Sequence, residues 1–477
     1  MGIKNLLLID LKTNYVDVLI LNKNGKILET QQRSFDCFTS ENYGSYVDAN
    51  ECLYATRSAI NSVILSMPKK QSIDQIGIVG NMDTFLFCDK TSGMVLTPSF
   101  FLDDNRAFDS FMTIKNTAIV KDYESITQQY LSWNSLFLNL KWFVEKGADF
   151  FPFSPSNNVC MNLELYLLFN LTGLACFKQD VTSASYSGFF DLSKQEYSSI
   201  MLKDLKLNRE CFPNLVAPFS LNEKTKGFIP LKDGIPIRFM THSSVKNWLF
   251  ESNIPVGAFN IHIDDAHIML EQHIGLEINN YDSFPSKSLI LKGKESFFCL
   301  KDLLSVSKVS NNLLSFSFSD ILKKQFSYSN SSAWLVMNTE EYNSLHEFAF
   351  INRNVLHSDH SLEYALLEGL FNIVRLKLAT FEKSSNRQPH TFYCTSSGYV
   401  HDSIWQMCAD ILQHPLVIIN MTQSASRLIY EINNDGNDDQ YDLKPMDSKI
   451  ITPQQDPISS YARYQTWLSY YKKIFKN

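Results

Sequence analysis

Glycine is scarce in this chain. There are 17 glycines among 477 residues, about half of the usual share of roughly 7%. Proteins that hold phosphate groups use glycine because it lets backbone N–H groups approach the ligand closely. The scarcity therefore bears on any phosphate loop that the sequence suggests, although an AT-rich genome, which favours Lys, Asn, Phe and Ile, accounts for it equally well.

Other absences narrow the class of protein. No stretch gathers five or six basic residues and the net charge is −7, which argues against a nucleic-acid partner. No apolar run approaches the roughly 18 residues that span a bilayer, and the short run after Lys4 does not reach the length of a signal-peptide core. The nine cysteines are scattered singly without CxxC spacing, which is typical of reduced core cysteines. We therefore expect a cytoplasmic globular protein without a membrane partner.

Period-2 and helical patterns predict a mixed α/β chain with two similar halves. The predicted strands are 6–9, 16–21, 27–28, 73–79, 235–240, 259–263 and 391–395. The predicted helices are 50–67, 132–144, 161–171, 362–381 and 403–412. The similar order of elements in the two halves predicts an internal duplication. A turn signal at Gly234 then predicts domains over 1–234 and 235–477.

Two strand-turn segments carry the residues of a candidate phosphotransfer site. Residues 6–21 read LLLIDLKTNYVDVLIL, in which an apolar strand ends on Asp10 and a turn leads to a second strand. Residues 235–247 read IPIRFMTHSSVKN, but Ser243 and Ser244 stand where a carboxylate would be needed. The pattern predicts one half of a catalytic pair without the other. A turn-capping carboxylate is the alternative for Asp10, because turns favour Asp.

A group of histidines and carboxylates suggests a rival interpretation, a metal site. Its candidate ligands are His262, Asp264, Asp265, His267 and His273. Because His262 and Asp264 share a strand face, two ligands are geometrically available. No closed ligand set emerges, so polar surface residues at a strand end are the alternative. A hydrolase pair of Ser243 and His242 lacks the nucleophile-elbow glycine pattern.

The order and spacing of several segments resemble the FGGY carbohydrate kinases, sugar and polyol kinases of the actin and hexokinase-like class, and among them most closely the rhamnulokinases. The matching segments are Asp10, IGIVGNMDTFLFCD at 76–89, FLDDNRA at 101–107, YLSWNSLF at 130–137, LTG at 171–173, DVTSAS at 180–185, IPIRFMTHS at 235–243, and 406–410. The resemblance implies a two-domain α/β, actin/hexokinase-like (ribonuclease H-like) fold with a cleft between the lobes. It places the sugar on the N-terminal domain and ATP mainly on the C-terminal one. The implied reaction is ATP-dependent phosphorylation of a sugar or polyol hydroxyl, with Mg-ATP as the cofactor.

The resemblance also identifies the position of the catalytic base. The family's Asp falls on Ser243, or on Ser244 if one residue is gapped. A serine hydroxyl does not accept a proton near neutral pH, and loss of a general base costs about 10²–10⁴-fold in rate. His242 is adjacent, but neighbouring strand residues point to opposite faces, so we expect it to face away. The acid that helps to hold magnesium in the family is retained as Asp10.

The nucleotide-binding positions depart from the family pattern. In the first turn Lys12 replaces a glycine and Asp17 replaces a common basic residue. We expect Lys12 either to contact phosphate or to be a solvated turn lysine. Asp264 and Asp265 replace a Gly-Thr turn, where their charges repel a polyphosphate unless a metal intervenes. The degenerate nucleotide-binding set is Lys12, Thr13, Asp264, Asp265, Ser396, Ser397, Gly398 and His401, the last at the usual Asn position.

The sugar-binding positions are better retained. Asp83 lies in the segment that contacts substrate hydroxyls in the family, although Met82 stands where polyol kinases have a basic residue. Trp133 and Asn134 offer an aromatic face and an amide, with a buried core role as the alternative for Trp133.

Together these positions predict a kinase fold with impaired or lost phosphotransfer. Such a pseudokinase would bind a sugar, a polyol or a protein partner and need no cofactor. The alternative is an active rhamnulokinase-like or xylulokinase-like enzyme that uses Mg-ATP, with the base relocated to His242, Asp264 or Asp265. The sequence leaves the sugar, the partners and a homodimer open.

Overall fold

Described residues fall into two compact units. The computed structural model describes residues 5–12, 14–23, 25–40, 44–68, 71–80, 84–101, 106–127, 131, 135–146, 158–217, 219–243, 255, 257–263, 267–272, 296–299, 318–327, 333–337, 348–352, 358–385, 391–396, 398–419 and 447–475. Those up to Ser243 belong to the first unit, and those from Pro255 onward belong to the second.

The first unit is rich in short strands. Its strands are β1 Asn5–Leu11, β2 Tyr15–Asn22, β3 Ile27–Ser34, β4 Cys37–Ser40, β5 Gly44–Val47, β6 Gln75–Gly80, β7 Thr84–Asp89, β8 Ser99–Phe101, β9 Asn158–Met161, β10 Lys178–Asp180, β11 Phe190–Asp191, β12 Glu196–Tyr197, β13 Asn214–Val216, β14 Glu223–Lys224 and β15 Pro236–His242. Its helices are α1 Ala49–Ser66, α2 Phe108–Ile114, α3 Ala118–Thr127, α4 Leu136–Glu145, α5 Leu163–Leu171, α6 Val181–Ser185 and α7 Ser199–Asp204, with a 3₁₀ turn over Arg209–Cys211.

The second unit has longer helices. Its strands are β16 Phe259–Ile263, β17 His267–Gln272, β18 Ser296–Cys299, β19 Trp334–Met337, β20 Phe348–Ile351, β21 Phe392–Ser396, β22 Leu416–Ile419 and β23 Ser448–Ile451. Its helices are α8 Phe318–Leu322, α9 Asp359–Ser385, α10 Asp402–Leu412 and α11 Pro457–Phe475. None of the helices in the described ranges combines the length and apolar character that crossing a bilayer requires.

A six-stranded sheet in the order β14-β15-β6-β1-β2-β3 organises the first unit. The pairs β1–β6 and β6–β15 are parallel, and the remaining pairs are antiparallel. β1 is buried at every position, which explains why its sequence reads as a nearly continuous apolar run. α1 begins at the cap Asp48, whose side chain accepts a hydrogen bond from the amide of Asn50, and α1 and α5 complete the core with β1 and β6.

The second unit repeats this arrangement in a sheet ordered β18-β17-β16-β21-β22-β23. β16 forms antiparallel pairs on one side through β17 and parallel pairs on the other through β21, as β1 does with β2 and β6. The predicted internal duplication is therefore present. Its second copy starts at β16, whereas the sequence pattern matched β15 with the first strand.

The position of β15 also moves the division between the units. The sequence predicted a boundary after residue 234, but β15 pairs in parallel with β6 and so belongs to the first sheet. This pairing joins strands more than 150 residues apart, which local turn signals do not report. In the second unit, Trp467 of α11 is fully buried and donates a hydrogen bond from Nε1 to the carbonyl of Leu335 at 2.7 Å.

A substitution in β6 tests the close packing of β6 on β15. A Cβ atom at Gly77 would lie 2.1 Å from Cζ of Phe239. We expect Gly77→Ala to lower the free energy of unfolding of the first unit by about 1–3 kcal/mol, because the ring cannot yield without repacking. The measurement is unfolding of the first unit in urea, monitored by hydrogen exchange of the backbone amides of β6. In Gly77→Ala/Phe239→Leu the smaller side chain should recover part of the loss, whereas strictly additive losses would show that the ring is not the obstacle.

Candidate active site

Three parallel strands end side by side at one edge of the first sheet. In the register, Asp10 of β1 is aligned with Val79 of β6, and Val79 is aligned with Thr241 of β15. Neighbouring strands lie about 4.8 Å apart, so Asp10 and Thr241 are separated by roughly 10 Å across the sheet. Ser243 follows β15 directly and is half-buried. The fold therefore brings the two positions of the predicted catalytic pair to the same edge, where open α/β sheets bind ligands.

Asp10 is buried and forms an ion pair with a residue of its own turn. The ammonium of Lys12 lies 2.9 Å from Oδ1 of Asp10, and Asp10 is only 6% exposed. Burial alone would lower the pKa of Lys12, but the charge and hydrogen bond of Asp10 outweigh it, so the pKa is raised. Lys12 is thus a charged, largely buried partner of Asp10 rather than a solvated turn lysine.

This ion pair bears on magnesium, which the resemblance assigned to Asp10. A divalent cation on the same carboxylate would have to displace the ammonium or tolerate its repulsion. In the described part of the chain, no group of three His, Cys, Asp or Glu residues is arranged to hold a metal ion. Because Mg²⁺ is usually held by one or two carboxylates together with substrate phosphates, the ion pair of Asp10 with Lys12, and not the lack of a ligand cluster, is what opposes a magnesium ion here.

His242 is packed as part of the protein interior. Its ring is 6% exposed and stacks on Tyr186, with centroids 3.6 Å apart and planes 10° from parallel. Tyr186 follows α6, so the stack joins this helix to β15. The imidazole would have to leave the stack to meet a substrate at the sheet edge.

Asp180 connects α6 to the same strand. Its carboxylate caps α6 by accepting a hydrogen bond from the amide of Ser183 at 2.7 Å, and it accepts another from the hydroxyl of Thr182. Thr182 in turn contacts the hydroxyl of Thr241 at 3.2 Å. Burial is the main reason why the pKa of Asp180 is raised, although these hydrogen bonds act in the opposite direction. Asp180 therefore has an architectural role.

Glu164 is a residue at this edge that sequence reasoning missed. Its carboxylate presses against the last residue of β6, since a Cβ at Gly80 would lie 1.9 Å from Oε1 of Glu164. Glu164 is 3% exposed and stands in α5 among apolar neighbours. The available signal was a glycine at a strand end in a glycine-poor chain, which marks close approach of another group.

The predicted phosphate turn of the second unit closes on itself. Ser396 ends β21, and its hydroxyl donates to the carbonyl of Gly398 at 2.7 Å. His401 caps α10, with Nδ1 accepting from the amide of Ser403 at 3.2 Å. A histidine here performs the capping role for which asparagine is better known.

His262 occupies the place in β16 that Asp10 occupies in β1. Each is the second-last residue of the strand before the turn, and Asp10 is paired with Asp17 as His262 is with Met269. The ring of His262 is 3% exposed, and its Nδ1 lies 2.8 Å from the hydroxyl of Thr395. Among the candidate ligands of the rival metal site that begins at His262, only the side chain of His262 itself is described.

Several predicted site residues lie outside the described part of the chain. They are Thr13, Asp83, Trp133, Asn134, Ser244, Asp264, Asp265, His273 and Ser397, together with the side chain of His267. Their assigned roles stay predictions.

A cavity of about 220 Å³ lies among α9, α10 and α11 in the second unit. Its polar lining includes Arg463, which binds the buried Glu368 through two nitrogens, and Arg375, which donates to the carbonyl of Ile411. No described residue of the predicted phosphate turn lines this cavity. Ser403, which is hydrogen-bonded to His401 of the predicted nucleotide-binding set, does line it.

The stack of Tyr186 on His242 can be measured as a coupling energy. We expect the double-mutant cycle of Tyr186→Leu and His242→Leu to give about 0.5–1.5 kcal/mol of coupling, which is typical of aromatic pairs. The quantity measured is the free energy of unfolding of the first unit in urea. The Phe190→Leu/His242→Leu cycle is the control, since Phe190 is a buried aromatic residue of the same unit. A coupling near zero in the first cycle would contradict the stack.

Comparison with known proteins identifies the family. The profile described as the FGGY family of carbohydrate kinases, N-terminal domain, matches residues 5–237. A glycerol kinase from Aquifex aeolicus is 24% identical over 216 residues, which is 45% of this chain and 43% of that protein. The match thus spans less than half of the length of this curated relative.

Solved structures extend the likeness to the whole fold. A Plasmodium falciparum glycerol kinase solved with ADP matches with a TM-score of 0.79 and 15% identity, over 99% of this chain and 98% of that one. A xylulose kinase from Rhodospirillum rubrum matches with a TM-score of 0.75 and 15% identity, over 99% of each chain. These matches confirm the predicted two-domain, actin/hexokinase-like α/β fold, whereas the rhamnulokinase subtype stays a prediction. The chain therefore carries an FGGY carbohydrate kinase N-terminal domain over residues 5–237, within the two-domain fold of these structures.

Proposed function

We propose that this protein is an FGGY kinase homologue in which ATP-dependent phosphorylation of a sugar or polyol is impaired or lost, while binding of a sugar or a protein partner is retained. The observation that carries the proposal is Ser243, which follows β15 at the sheet edge that also holds Asp10. The family's general base belongs at this position, and a hydroxyl does not accept the proton of a sugar hydroxyl near neutral pH.

Neither His242 nor Asp180 is placed to replace the missing base. His242 is the nearest titratable residue in sequence, and its buried stack on Tyr186 holds the imidazole against α6. Asp180 is a carboxylate on the far side of Thr182, but it is committed to capping α6. The chemistry of phosphoryl transfer needs the acceptor hydroxyl to be positioned and deprotonated, and neither group is placed to do both.

The predicted nucleotide-binding residues of the second unit support the same proposal. The hydroxyl of Ser396 is bound within its own turn, to the carbonyl of Gly398, rather than left to meet a phosphate. Asp264 and Asp265 add negative charge directly after β16, which aligns with the end of β21. Charge of this sign opposes a polyphosphate. We assign the sugar to the N-terminal domain and any residual nucleotide binding to the C-terminal domain.

One observation favours a second candidate, an active sugar kinase. Asp10 is retained at the end of β1, in line with the ends of β6 and β15, where a catalytic carboxylate is expected. In this case Mg-ATP is the cofactor, and Asp264 or Asp265 supplies the base more readily than the stacked His242.

Calorimetry and turnover distinguish the two candidates. We expect no heat of MgATP binding to the full chain, with or without a panel of deoxy-ketoses, pentuloses and polyols, and no sugar-dependent formation of ADP. Any residual turnover should rise by about 10²–10⁴-fold in Ser243→Asp, which restores a base, and should not rise in the matched variant Ser243→Asn.

Two results would overturn the proposal. One is binding of ATP that a sugar enhances. The other is wild-type turnover in the range of about 1–100 s⁻¹ that is typical of kinases. Either would favour the active enzyme, and loss of that turnover in Asp264→Asn or Asp265→Asn would then identify its base.

A further inference from the structure

Three charged residues meet at the turn between β1 and β2. Asp10 and Asp17 are directly opposite each other in the antiparallel register. Such pairs share one face of the sheet with Cβ atoms about 4.5–5.5 Å apart, and like charges in this position destabilise the sheet. Lys12, two residues after Asp10, brings its ammonium to 2.9 Å from the Asp10 carboxylate.

The side chain of Lys12 is only 20% exposed, so its ammonium is largely shielded from solvent beside the Asp10 carboxylate. At 2.9 Å from Oδ1 of Asp10 it is within ion-pair distance. A positive charge that is part of the chain offsets two facing carboxylates.

The same turn looks different in the family pattern that this chain resembles. There a glycine stands at the position of Lys12, and a basic residue is common at the position of Asp17. In this chain the positive charge stands in the turn at Lys12, and a second carboxylate, Asp17, stands on β2. A glycine leaves the space beside the first acid open, whereas the Lys12 side chain extends into it.

We propose that Lys12 is a tethered cation that takes the place of a divalent metal ion at Asp10, so that this carboxylate binds no magnesium in the native protein. The inference rests on the proposed function and deepens it, because it explains why the retained acid no longer serves phosphotransfer. The inference also predicts that a divalent-metal site appears at Asp10 when the Lys12 ammonium is removed. Two facing carboxylates without the ammonium would offer oxygen ligands of the kind that hard divalent cations prefer.

Binding of Mn²⁺ alone, followed by electron paramagnetic resonance, tests the inference without a sugar or a nucleotide. With Lys12 present, we expect the Asp10→Asn variant to bind Mn²⁺ as the wild-type chain does. In Lys12→Met, which keeps the length of the side chain and removes its charge, we expect one new site. The affinity of Lys12→Met for Mn²⁺ should exceed that of the wild type by about tenfold or more, because the ammonium no longer offsets the negative charge of the carboxylate ligands. The new site should vanish in Lys12→Met/Asp10→Asn, and Lys23→Met in the exposed turn after β2 should gain none.

Stability provides a second readout. We expect the melting temperature to fall in Lys12→Met, because the facing carboxylates of Asp10 and Asp17 then lose the Lys12 ammonium, and to recover in Lys12→Met/Asp17→Asn. The Asp10→Asn comparison in the wild-type background remains decisive even if Lys12→Met does not fold.

Two outcomes would overturn the inference: loss of wild-type Mn²⁺ binding on Asp10→Asn, or a folded Lys12→Met variant that gains no site. Turnover reports on the proposed function separately. An inactive chain whose Mn²⁺ site requires Asp10 contradicts this inference alone. An active chain without such a site contradicts only the proposed function.

Discussion

The parallel pairing of β15 with β6 is the constraint on which the candidate site depends. It fixes Thr241 in line with Val79 and, through β1, with Asp10. Two residues near the end of β15 contact α6 or the residue that follows it. His242 is held by Tyr186, and Thr241 meets the hydroxyl of Thr182 beside the α6 cap. These contacts define the surroundings of Ser243, the position that the resemblance assigns to the catalytic base.

The second sheet applies the same pairing to a different set of side chains. β16 and β21 align His262 with Thr395, and the two are in contact at 2.8 Å. Asn260, two residues earlier on β16, also contacts the hydroxyl of Thr395. The edge that carries an ion pair in the first unit thus carries a buried hydrogen-bond network in the second. Such a network specifies the packing of the strand end, since buried polar groups are costly unless each has a partner.

Much of the fold follows from the sequence because its central elements are locally distinctive. β1 reads as an apolar run, and α10 lies within one residue of the predicted helix over 403–412. The division between the units did not follow, because the partner of β15 lies far away along the chain. The role of Lys12 did not follow either. A turn lysine is usually solvated. Only the structure shows that Lys12 forms an ion pair with the buried Asp10.

The charge arrangement of the first turn constrains which substitutions the turn tolerates. A glycine in place of Lys12 alone would take the ammonium away from the facing carboxylates of Asp10 and Asp17. A basic residue in place of Asp17 alone would set two cations against one acid. Each single exchange is therefore unfavourable for folding, whereas the two together keep the charges balanced. The stability of the sheet thus couples the two positions, whether or not a ligand binds beside them.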